Sequence, residues 1–100
     1  MKCLFYERSG WIKNIYENPT LEQRKEIKEV NASLLRKIPN TYVKFDFMPC
    51  VGMYIDLEQF EENFKLTDKE AKLITIDPIH ALVDIEMRPD CLALIFDWDD

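Results

Sequence analysis

Two segments of alternating polarity, ALVDIEM at residues 81–87 and LALIFDW at residues 92–98, stand four residues apart near the end of the chain. A period of two buries one face of a strand and leaves the other to solvent, so the pair reads as a β-hairpin. Closing the chain over residues 88–91 matches its two apolar sets, placing Met87 opposite Leu92, Ile85 opposite Leu94, Val83 opposite Phe96 and Ala81 opposite Trp98. Pro89-Asp90 suits a type I turn inside a four-residue loop. An apolar hairpin face of this kind needs a covering layer, which the rest of the chain must supply.

The firmest candidate for that layer is an amphipathic helix from about Thr20 to Lys37. Thr20 and Gln23 have capping-box spacing, Pro39 ends the helix, and Ile27, Val30, Leu34, Leu35 and Ile38 form its apolar stripe. Residues 1–6 read as a strand, and Trp11, Ile12, Ile15 and Tyr16 as a short helix that stops before Pro19. TYVKFDF reads as a strand with Val43, Phe45 and Phe47 on one face, and MYIDL as another, entered through a bend at Gly52. Leu57, Phe60 and Phe64 suit one or two helical turns, Thr67 with Glu70 offers a second capping box, and LITID reads as a further strand ending at Pro78. The expected fold is α+β: a curved antiparallel sheet or partial barrel of about five strands, with one main N-terminal amphipathic helix packed on it.

One hundred residues suffice for one domain, and residues 1–100 are read as one, with no repeat or linker. Hydrophobic residues at 47% and only two glycines indicate an ordered chain. No apolar run approaches the roughly 20 residues that cross a bilayer. The first residues lack the pattern of a signal peptide, which points to a cytoplasmic protein. Cys3, Cys50 and Cys91 have no metal or redox spacing and are expected to be reduced, mostly buried thiols. The glycosylation sequon at Asn31 falls within the main helix and is discounted.

The net charge of −6 is unevenly divided. Residues 1–40 carry eight Lys/Arg against five Glu, and residues 41–100 carry five against fourteen Asp/Glu. So acidic a C-terminal part disfavours nucleic acid and anionic membranes and favours a basic protein partner. With two separated glycines there is no phosphate-cradling loop. The helix carries basic residues interleaved with glutamates, which reads as a salt-laced solvent face.

Site candidates centre on His80, the only histidine. Extending the hairpin register sets it opposite Asp99, on the face that carries Leu82, Asp84, Glu86, Ile95 and Asp97. Apolar residues amid acids on one sheet face suggest a protein contact. The expected function is therefore a small acidic protein-interaction module acting through this face, on a basic partner or on itself. An inhibitor or immunity-type protein would fit, since carboxylates can imitate a phosphate array. The alternative is a metal-dependent enzyme organised around Asp77, His80 and Asp99, with Asp97 and Asp100 near by. No catalytic residue and no cofactor is assigned, because neither the serines nor the cysteines have a nucleophile's context.

Overall fold

The computed structural model describes residues 1–12, 16–76 and 78–98. The hairpin forms as β4 (Ile79–Met87) and β5 (Leu92–Asp97). Its four-residue loop closes with a 3.0 Å bond from the Arg88 N–H to the Cys91 carbonyl. Met87 through Asp84 face Leu92 through Ile95 in the expected register. Beyond Asp84 the register changes. A bulge at Val83 lets Leu82 face Phe96 and Ala81 face Asp97, replacing the expected pairs Val83 with Phe96 and Ala81 with Trp98.

One extra residue in a strand turns every following side chain to the opposite face. Leu82 and His80 consequently point into the core, where they are 1% and 0% exposed. The neighbouring segment of the same chain holds the bulge in place: Gly52 N–H donates to Leu82 O, and Leu82 N–H donates to Met53 O, both at 2.8 Å. Gly52 has φ of 98°, a conformation a side chain would resist.

The N-terminal strand β1 (Lys2–Glu7), β2 (Val43–Lys44) and β3 (Tyr54–Asp56) complete a sheet in the order β2-β1-β5-β4-β3. The sheet is curled into half a barrel. It is mixed rather than antiparallel, because β1 runs parallel to β5, with Cys3, Phe5 and Glu7 beside Leu92, Leu94 and Phe96. Alternation in β1 specifies which residues turn inward but is the same for either strand direction.

Helix α1 (Leu21–Lys37) begins at the expected capping box, with Thr20 accepting from Gln23 N–H and Gln23 accepting from Thr20 N–H. Val30, Leu34 and Ile38 are buried and Ile27 partly so, but Leu35 is half exposed. The inward position is taken instead by Asn31, whose amide brackets the Ile12 backbone, accepting from its N–H at 2.8 Å and donating to its carbonyl at 2.9 Å. This clamp carries Trp11 and Ile12 into the core. The short helix expected around residues 11–18 falls partly outside the described residues. Trp11, Ile12 and residues 16–18 themselves form bends.

Two more α-helices follow, so among the described residues α1 is one of three, and it starts after a strand. A 3-10 turn (Leu57–Phe60) runs into α2 (Glu61–Phe64), as the Leu57, Phe60 and Phe64 spacing suggested. Helix α3 (Asp68–Ile76) absorbs Leu73, Ile74, Thr75 and Ile76 of the stretch read as the strand LITID, and Asp77 lies outside the described residues. A short run of β-branched residues suits either structure, and here the Thr67–Glu70 capping box decides. Once the helix starts, Glu70, Leu73 and Ile74 share its buried side. TYVKFDF is likewise mostly loop. Only Val43 and Lys44 form a strand, and Phe47, 54% exposed, stacks on Phe45 at 5.2 Å.

Glu70 fastens α3 to α1. Its carboxylate accepts from Ser33 Oγ at 2.7 Å, from Lys37 Nζ at 2.5 Å and from Thr67 N–H at 2.9 Å. Burial pushes the Glu70 carboxyl up, yet the Lys37 ammonium and the Thr67 and Ser33 donors outweigh it and bring the pKa from 4.5 down to about 2. A carboxylate more acidic when folded stabilises above its unfolded pKa. The stabilisation is therefore present above pH 4.5 and is lost as pH falls from there through about 2. It amounts to roughly 3 kcal/mol at most, since solvent around the partly exposed Lys37 screens the pair. Urea unfolding between pH 6 and 2 is expected to show Glu70→Gln losing less stability across that window than the parent; parallel curves would count against this clamp.

Candidate functional site

Core-facing residues of β1 run Cys3, Phe5, Glu7, so the alternation that buries a phenylalanine also buries a carboxylate. The bulge in β4 does the same to His80. The two meet across β5, with His80 Nδ1 2.5 Å from Glu7 Oε2 and both side chains fully buried. The other carboxylate oxygen, Oε1, accepts from Ser9 N–H at 3.1 Å. The imidazole contacts two indoles. Trp11 meets it edge-on with centroids 5.2 Å apart, and Trp98 lies at 4.6 Å. His80 is thus a core residue with a carboxylate partner, not a member of the acidic strand face.

The outer face of the sheet is built from the alternate residues. Leu4, Ala93 and Glu86 stand side by side across β1, β5 and β4, as do Tyr6, Ile95 and Asp84 one step along, with Asp97 and Ala81 beyond. Tyr54 of β3 extends the last row beside Ala81. Asp84 and Glu86 are exposed, and Tyr6, Ile95 and Asp97 half-buried. Charge on this face is mixed. Arg88 lies over the Tyr6 ring, donates to its hydroxyl at 2.9 Å and reaches Glu86 at 3.4 Å. Lys2 lies over the Tyr42 ring at 5.3 Å. The Trp98 backbone N–H and the Ser9 hydroxyl hold the Asp97 carboxyl below the usual carboxylate range.

Of the expected interaction face, Asp84, Glu86, Ile95 and Asp97 therefore share one surface, while His80 and Leu82 are turned to the core. Asp99 lies outside the described residues, as do Asp77 and Asp100 of the metal alternative. Among the described residues no three His, Cys, Asp or Glu are grouped to hold a metal ion. Cys3 and Cys91 are buried and Cys50 is exposed; burial pushes the Cys3 thiol up. Glu7 is the residue that sequence reasoning missed. Its signal was present: a glutamate in phase with Cys3 and Phe5 on the inward side of a strand needs a buried partner.

No helix of the described residues is long and apolar enough to cross a membrane. No protein-family model, curated protein or solved structure matches the chain.

Proposed function

We propose that the domain is a non-enzymatic, cytoplasmic protein-interaction module that binds a basic protein through its outer sheet face, in the manner of an inhibitor or immunity-type protein. The observation that carries this reading is the one-sided sheet. The buried apolar residues of the helices join the inner-face side chains in one core, while on the other face Leu4 and Ala93 are buried and Tyr6 and Ile95 stay half-open beside exposed Asp84 and Glu86. An apolar and aromatic centre with a charged rim is the composition of a protein contact. The excess of acid in residues 41–100 would steer a basic partner toward it. A metal-dependent enzyme organised around His80 has less support, because the ring is fully buried and its Nδ1 is engaged by Glu7.

Charge reversal tests the reading. Asp84→Lys combined with Glu86→Lys alters two exposed side chains and should leave the melting temperature unchanged. Affinity chromatography with the parent protein is expected to retain a basic polypeptide that salt elutes. The double variant should bind it about tenfold or more weakly, the cost of losing steering and turning two attractions into repulsions. Equal retention by parent and variant would rule out this face. Sedimentation of the parent alone shows whether the face is used for self-association instead.

A further inference from the structure

Two interior polar atoms have no hydrogen-bond partner among the described residues: Nε1 of Trp11 and Nε2 of His80. They belong to rings in contact, with centroids 5.2 Å apart and planes at 65°. Trp11 is 1% exposed and His80 0%, so bulk solvent does not reach them. Protein interiors rarely leave such groups unpaired, and a buried water is the usual partner where one is needed.

Their chemistry is complementary. An indole nitrogen only donates. Glu7 Oε2 lies against His80 Nδ1, and a carboxylate there needs a proton on that nitrogen. In the neutral ring with its proton on Nδ1, Nε2 keeps a lone pair and accepts. The fold thus leaves one donor and one acceptor unpaired on two rings that touch. Asn31 holds the donor's segment in place by clamping Ile12, and the bulge in β4 aims the acceptor.

We propose that Trp11 Nε1 and His80 Nε2 form an internal binding site for one water-sized hydroxyl molecule, water itself in the resting protein, which accepts from the indole and donates to the imidazole. The bound molecule extends the Glu7–His80 contact into a chain that joins β1, β4 and the Trp11 segment. Networks of this kind specify one packing arrangement, because each member is satisfied only when all are in place.

A crystal structure of the parent protein tests this directly. The expected result is a density peak at hydrogen-bond distance, about 3 Å, from both atoms. In solution, long-range proton–nitrogen correlation should find the His80 proton on Nδ1, and the Trp11 indole proton should show a cross-relaxation peak to a long-lived water. His80→Phe removes the acceptor and should abolish that peak; if the variant does not fold, the crystal structure decides alone. A dry gap, a protein atom between the two nitrogens, or a proton on Nε2, whether or not Nδ1 also carries one, would overturn the proposal.

Discussion

Replacing His80 with alanine is expected to cost about 3–5 kcal/mol, the usual result of removing one partner from a buried ion or hydrogen-bonded pair. Among the described residues Glu7 would keep only the Ser9 N–H as a donor, in a site closed to solvent. The loss also removes the ring that Trp11 and Trp98 pack against. Domains of this size hold only about 5–15 kcal/mol in total, and each kcal/mol shifts the melting temperature by roughly 4–8 °C. A drop of about 12–40 °C is therefore expected in a thermal melt. The control is the double replacement Glu7→Leu with His80→Leu. Exchanging both partners for apolar residues removes the unpaired group and should recover much of the loss. Should His80→Ala melt within a few degrees of the parent, the pair would not be the buried contact described above.

Phe5→Ala is expected to be comparably severe, about 3–5 kcal/mol in urea unfolding with the slope unchanged. Phe5 is fully buried, and four rings converge on it. Phe96, Phe60 and Phe64 meet it edge-on, with centroids 5.1, 5.4 and 5.6 Å away, and Phe45 is tilted at 5.9 Å. The four rings come from β5, the 3-10 turn, α2 and the loop after β2, and Phe5 itself from β1. One truncation therefore loosens the sheet and its covering layer together. Aromatic pairs add about 0.5–1.5 kcal/mol each beyond area burial, which places this site at the costly end of core truncations. Phe47→Ala offers the contrast. That ring is 54% exposed and stacks on Phe45, so its loss should cost less than about 1 kcal/mol. Equal losses at the two positions would contradict this placement of the core.

Most elements were readable where a local signal stood alone. Thr20 and Gln23 mark the start of α1 because capping is decided within four residues. Met87 through Asp84 pair with Leu92 through Ile95 because a short loop fixes the register near itself. The reading failed where two local signals competed. Ile74, Thr75 and Ile76 favour a strand by composition, yet they continue a helix nucleated at Thr67. Leu35 belongs to the apolar pattern of α1, but the segment that reached that helix brought backbone amide and carbonyl groups, and Asn31 met them instead.

The candidate site divides in the same way. Asp84, Glu86, Ile95 and Asp97 share an outer face that alternation alone places together. Their distance from the loop did not matter, because β5 is regular throughout. His80 and Leu82 lie past Val83, where Gly52 and Met53 impose a bulge through backbone hydrogen bonds. Nothing in the sequence of β4 announces an extra residue, since the bonds that hold it come from a chain segment some thirty positions earlier. By itself, then, the sequence determined the loop end of the hairpin, the capped start of α1 and the acidic balance. The tertiary structure alone decided that β1 lies parallel to β5 and that His80 turns inward to meet Glu7, because strand direction and a bulge are settled by hydrogen bonds between distant segments, to which local periodicity is blind.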